Sequence, residues 1–192
     1  MDWYRTMLFL HLLALLVGFS AGSVIHVCLF RLKAAQTVDQ AAPWGMVAGH
    51  MEKYFPVSIL GLFATGAYMT SDVWSWNTGW IDVSIVVLAI LLVQGGAVAT
   101  RRAHALKAAL MANGPGPLGE PVRALTRDKA LWIVSFANPA IVVGTIWNMI
   151  NKPGTTKAIL VIVVAYAIGA VLAVVLSRAP AVEAHASAEP AA

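Results

Sequence analysis

Five histidines stand out in this 192-residue chain, because two of them, His11 and His26, lie inside one apolar run, LHLLALLVGFSAGSVIH (10–26). Imidazole is the side chain that most readily ligates iron or shuttles a proton near neutral pH. On a helix, His11, Leu15, Gly18, Gly22, His26 and Leu29 share a face about 60° to either side of His11, at ~100° per residue. Such a stripe can serve two ends. Glycines let a neighbouring helix backbone come close, and they leave room for a flat macrocycle. An imidazole facing lipid would have no hydrogen-bond partner, so the stripe is expected to face the bundle interior.

The two histidines differ in depth. His11 falls about one turn below the outer membrane boundary and His26 about one turn above the inner one. A haem b on His11 needs a second ligand at similar depth, and Met69 and Met149 are the candidates. Near His26 the candidates are His50, with His104 a further choice. The alternative for each is a packing role, in which the ring bonds a backbone carbonyl or a hydroxyl across a helix interface. Histidines close to a boundary, His26, His50 and His104, can also simply be solvated. His185 is read as inert. A two-haem relay would need a second helix with its own pair of histidines, and none answers the pair on the first.

These residues need helices to position them. Hydrophobic residues make up 59% of the chain and charged ones 11%, against roughly 25% charged in a soluble domain. A chain this apolar cannot cover itself with polar surface, so part of its solvent is lipid. A spanning helix needs about 20 apolar residues. Five stretches qualify, near 7–30, 54–71, 81–100, 130–150 and 158–177. Their apolar runs are continuous, which excludes the alternating strands of a membrane barrel. The first stretch is too long for a signal-peptide core and closes on Arg31 and Lys33, so it is read as a retained span.

Orientation follows from lysine and arginine. With the N-terminus outside, Arg31, Lys33, Lys53, Arg101, Arg102, Lys107, Arg123, Arg127, Lys129 and Arg178 are cytoplasmic, ten of 13. Arg5, Lys152 and Lys157 are then outside. The inverted topology reverses this ratio and breaks the positive-inside rule. SDVWSWNTGW (71–80) has no basic residue and three tryptophans, as an outer interfacial loop should, and Trp3, Tyr4, Tyr68 and Trp147 join that belt. Trp44, Tyr54 and Trp132 mark the inner interface. RRAHALKAALMA (101–112) is expected to continue the third helix into water, until NGPGPLGEP (113–121) breaks it. The tail after 178 has no apolar period and is expected to be disordered.

Other chemistry is thinly represented. Asn138–Pro139 lies inside the fourth span, and proline there frees the carbonyl of Ser135, four residues back. Asn138 or Ser135 itself is expected to satisfy it. Gln94–Gly95–Gly96 places a polar side chain beside a point of close approach. No carboxylate sits at mid-span, because Glu52, Asp72 and Asp82 are all near edges, which disfavours proton-coupled transport. The lone Cys28 excludes an internal disulfide and every CxxC motif. Nucleophile, phosphate-loop and HExxH motifs are absent, which leans away from an enzyme. A net charge of +4, spread over helix ends, does not point to nucleic acid.

FANPAIVVGTIWNMINKP (136–153) and the early histidine followed by small residues, His11 to Gly22, resemble a family of predicted bacterial integral membrane proteins of unknown function, over roughly 7–153. More distantly, the first helix resembles those of the copper-resistance D-like proteins and the J-type protoporphyrinogen oxidases. In the latter a histidine near the start of the first helix is associated with haem b, and only His11 matches it. This chain departs from the oxidases in reading Leu-Phe-Arg (29–31) where they carry Leu-Pro-Arg. It also has Gln94–Gly95 where their third helix offers a histidine.

The expectation is therefore an all-α membrane bundle of five spans, with the N-terminus outside and the C-terminus cytoplasmic. Residues 1–153 would form a four-helix core, 154–178 an added span and 179–192 a tail. The location expected from the resemblance is the bacterial inner membrane. Two functions fit. One is a multi-pass protein without catalytic motif, an accessory subunit whose Gly18/Gly22 face meets a protein partner or a second copy. The other is a small b-type haem protein handling electrons, with His11 as axial ligand.

Overall fold

The computed structural model describes residues 2–178, and the tail beyond Arg178 lies outside the described residues. The chain is all-α, with no strand among the described residues. Its helices are α1 (Trp3–Ala34), α2 (Val38–Met51), α3 (Tyr54–Val73), α4 (Gly79–Val93), α5 (Thr100–Asn113), α6 (Glu120–Thr126), α7 (Lys129–Asn151) and α8 (Thr155–Arg178). A π-helical stretch, Gln94–Ala99, joins α4 to α5 without a break. The wider turn falls on the Gly95–Gly96 pair, where nothing resists it sterically.

Four helical segments are long and apolar enough to cross a membrane: Trp3–Ala34, Gly79–Asn113, Glu120–Asn151 and Thr155–Arg178. They match four of the five expected stretches. The fifth, near 54–71, forms α3, a 20-residue helix that carries the buried hydroxyls Ser58, Thr65 and Thr70 and is accordingly less apolar. Large side chains stay bare on the outer faces, Phe9 on α1 and Val171 on α8 each 63% exposed. Apolar surface of that extent is what a lipid solvent covers.

α1 and α3 pack side by side. Ala14 Cβ stands 3.0 Å from the place a Cβ on Gly61 would take. Ser58 Oγ donates to the Ala14 carbonyl at 2.7 Å. On the other side of the bundle α7 and α8 cross at Gly169, where a Cβ would lie 2.6 Å from the Phe136 carbonyl oxygen and from Ala137 Cα. α8 is thus no appendage to a four-helix core. Its Ala158 and Ala173 are fully buried and belong to core clusters with Val83, Val87 and Ile141 from α4 and α7, and with Leu29 and Trp132 from α1 and α7.

The region between the first and second expected spans holds a helix, α2, that no apolar period announces. Thr37 caps it by accepting from the Gln40 amide. α2 packs with the end of α1 and with α5 and α6 in a small separate core of Leu32, Ala41, Leu106, Leu110, Leu118 and Val122. The expected extension of the third helix is present as α5, and it ends at Asn113 before Gly114, whose φ of 67° closes the helix.

Two further groups singled out in the sequence meet partners within the chain. Trp132, placed at the inner interface by sequence, is 1% exposed and donates its indole N–H to the Thr126 carbonyl at 3.0 Å. The Gly18/Gly22 face, expected to receive a partner or a second copy, meets α3 of the same chain, with both glycines half-buried. A Cβ on Gly18 would collide with Ser58 Oγ, and Gly22 faces the Phe55 ring.

Candidate functional site

α1, α3, α4 and α7 surround a cavity of ≈ 290 Å³. This is near the lower end of the range for ligand pockets, about 300–1,000 Å³. His11, Met69 and Met149 all line it, as do Leu8, Leu15, Phe63, Val87, Leu88, Val142 and Ile146. Tyr4, Trp74, Trp76, Trp80 and Lys152 also line it. Three helices therefore converge the ligand types that the sequence had placed at one depth.

His11 is 8% exposed and held by α3. Its Nδ1 lies 2.9 Å from Thr65 Oγ1. Thr65 Oγ1 in turn donates its one proton to the Gly61 carbonyl at 2.6 Å. Having spent that proton, the hydroxyl can only accept from the ring, so Nδ1 carries hydrogen. The neutral ring then has its lone pair on Nε2, which makes no hydrogen bond to protein among the described residues. Gly66 makes the room: a Cβ there would stand 3.5 Å from His11 Cε1. A histidine with one nitrogen tied to an oriented acceptor and the other bare is the arrangement found at metal-ligating imidazoles.

The serine and threonine hydroxyls of the cavity wall other than Thr65 are turned back into their own helices. Thr70 Oγ1 donates to the Gly66 carbonyl, Ser84 Oγ to that of Trp80 and Thr145 Oγ1 to that of Ile141. Their protons are thereby withdrawn from any ligand. The polar groups left to the cavity include the basic Nε2 of His11 inside, the Tyr4 phenol and the Lys152 ammonium at the rim.

His26 is placed differently. Nδ1 lies 2.7 Å from the Gly22 carbonyl oxygen and Nε2 2.7 Å from the Ser135 carbonyl oxygen. Its ring also meets Phe136 edge-on, with centroids 4.8 Å apart. Both nitrogens are engaged by carbonyls, so neither is free for iron. The carbonyl freed by Pro139 thus faces Nε2 of His26 from another helix, and not Asn138 or Ser135; the one N–H of a neutral ring satisfies it when that hydrogen sits on Nε2 and not on Nδ1. Asn138 Oδ1 is itself buried without a partner, as is Gln94 Oε1.

His50 is exposed at the end of α2 and bonds back to the Met46 carbonyl at 2.8 Å. His104 is exposed on α5, near Glu52. Burial holds the Glu52 carboxyl above the usual range, and the charge of His104 draws it partly back. Among the described residues, no three His, Cys, Asp or Glu side chains gather in a cluster that could hold a metal ion.

Two residues of the site were not legible beforehand. Thr65 orients His11, yet at sequence level it is one small polar residue among several in a span. Lys152 was read only as a topology charge; the NKP turn that ends α7 folds it back over the cavity mouth. No family model matches the chain, and neither curated proteins nor solved structures give a match.

Proposed function

We propose that this chain is a five-span protein of a bacterial inner membrane, with its N-terminus outside and C-terminus cytoplasmic, and that its outer cavity binds an apolar cofactor through Nε2 of His11. The membrane assignment rests on the four long apolar segments. α3 is the fifth span, since its 20 residues cover about 30 Å at 1.5 Å each. The orientation rests on the distribution of lysine and arginine, and the bacterial inner membrane on the resemblance of 7–153 to bacterial integral membrane proteins.

Haem b is the cofactor whose ligand types are present. The observation that carries this reading is the tied Nδ1 and bare Nε2 of His11 in a cavity that Met69 and Met149 also line. The residues fit the group in kind: a neutral nitrogen donor, two thioethers and apolar walls. Bound there, haem would supply one-electron chemistry, at a potential higher with a methionine opposite His11 than with a second histidine. The protein's own part is to fix the imidazole tautomer through Thr65 and to exclude water with its apolar wall.

A second reading has its own support. The double engagement of His26 is pure packing, and it favours a non-catalytic accessory subunit in which histidines and glycines hold helices together. Protein purified in detergent from haem-supplemented cells separates the two. A Soret band and a pyridine haemochrome spectrum support the haem reading. A colourless protein at every haem supply removes it and leaves His11 a packing residue.

A further inference from the structure

The outer cavity has an inner end and a rim of opposite chemistry. Inside, His11 Nε2 presents a lone pair. At the rim, the Lys152 ammonium stands 4.6 Å from the centre of the Trp74 ring, and Trp74 is braced edge-on by Trp80, centroids 5.5 Å apart. Between the two ends the wall is mostly apolar, and its Thr70, Ser84 and Thr145 hydroxyls are spent on their own helices.

Lys152 is held there by an unusual backbone. It is the one non-glycine residue at positive φ among the described residues, at φ 49° and ψ 51°. Its amide closes α7 by donating to the Asn148 carbonyl at 2.7 Å. A side chain other than glycine or asparagine in this conformation is uncommon. Here the result is that the stem turns back over the cavity. No carboxylate neutralises it. The ion pairs among the described residues are Arg5–Asp2 and Arg102–Asp128, and neither Asp72 nor Asp82 comes within pairing distance of Lys152.

A cation fixed over an aromatic ring, at the mouth of an apolar cavity and without an acid, is arranged for an anionic group that arrives with an apolar body. We propose that the ligand of this cavity carries a carboxylate, which pairs with Lys152 while its apolar body fills the space between Trp74 and His11. The inference rests on the reading of the cavity as a ligand site, and it deepens that reading by naming the ligand's charged group. Two sources have this chemistry. One is haem b, through its propionates, with iron on His11. The other is a long-chain fatty acid, with its chain in the cavity.

The test compares each acid with its own methyl ester on the purified full-length protein in detergent. Haem and haem dimethyl ester are titrated by Soret absorbance. Oleate and methyl oleate are titrated by quenching of the rim tryptophans. The acid should bind about tenfold more tightly than its ester to wild type, as expected for one charge-assisted hydrogen bond. Lys152→Gln should erase that preference and Lys152→Arg should keep most of it. Haem that binds with a His11-dependent Soret band but no better than its dimethyl ester overturns the carboxylate assignment and leaves the haem reading standing. Oleate that binds with a Lys152-dependent preference while haem does not bind upholds the carboxylate assignment and removes haem. Equal binding of acid and ester in both series, or no binding in either, overturns the proposal. The wild-type comparison decides even if the Lys152 variants do not fold.

Discussion

His26 Nε2 on α1 lies 2.7 Å from the carbonyl oxygen of Ser135 on α7, the carbonyl that Pro139 leaves without its helical donor. A proline inside a long apolar helix thus creates an acceptor, and a histidine from a different helix supplies the donor when its one N–H is on Nε2. Where no water can substitute, each half of this pair gives the other its reason to be there.

The pair predicts a coupled energetic effect. His26→Ala leaves the Ser135 carbonyl unsatisfied and should destabilise by about 1–3 kcal/mol. Pro139→Ala restores an amide four residues after Ser135, so the helix itself can close that bond. His26→Ala should therefore cost markedly less in the Pro139→Ala background. Thermal unfolding of the four proteins in one detergent completes the double-mutant cycle. Strict additivity would show that the two residues do not share the carbonyl.

Glycine substitutions should rank by what a Cβ would strike. Gly169→Ala drives a methyl into the backbone of Phe136 and Ala137, 2.6 Å away, which cannot move without shifting α7. It should cost several kcal/mol, at or above the ~1–3 kcal/mol usual for overpacking. Gly18→Ala displaces the Ser58 hydroxyl from the Ala14 carbonyl and presses on Ser58 Cβ at 3.1 Å, and should cost about 1–2 kcal/mol, less than Gly169→Ala. Gly22→Ala meets nothing closer than the Phe55 ring at 3.9 Å and gains helix propensity worth up to ~1 kcal/mol. The order is read from unfolding midpoints. If Gly22→Ala is the worst of the three, the packing faces are misassigned.

Much of the scaffold was visible in the sequence because apolar runs of about 20 residues have one use. All five expected stretches are helices, α1 and α3 contact along the His11–Gly18 stripe, and the Gly–Pro break after Asn113 is where it was expected. What was hidden depends on three-dimensional partners. Trp132 looked interfacial because aromatic residues at span ends usually are, but its indole N–H found the Thr126 carbonyl and it could be buried. α2 was hidden because it holds Pro43, Gly45 and Gly49 and no long apolar run, while its single buried residue, Ala41, is too weak a signal to announce a packed helix. The pairing of His26 with the proline's freed carbonyl crosses 109 residues of sequence. No spacing rule reaches that far.

Topology can be checked independently of any cofactor. An enzyme reporter active only outside the cytoplasm should be active when fused after Trp76, between α3 and α4. It should be silent when fused after Gly116, between α5 and α6. The opposite pattern would invert the bundle and put the His11 cavity on the cytoplasmic side.

The last prediction concerns the tautomer of His11, and it presumes a wild type that shows a Soret band. His11→Ala removes the candidate ligand and should abolish that band, while His26→Ala, whose ring has no free nitrogen, should leave the spectrum in place even if it lowers stability. Thr65→Val is the sharper probe. It keeps the shape but deletes the acceptor that holds Nδ1–H, so Nε2 loses its orientation and part of its basicity. Losing an outer partner of a ligating histidine typically weakens metal affinity about 10- to 100-fold, so the haem titration should shift by that order with the helix pair intact. Thr65→Ser retains the hydroxyl and should titrate like wild type. A Thr65→Val protein that binds haem as tightly as wild type would show that the Thr65 contact does not set the ligating nitrogen. A band that survives His11→Ala and is lost in His50→Ala would move the site to the cytoplasmic end.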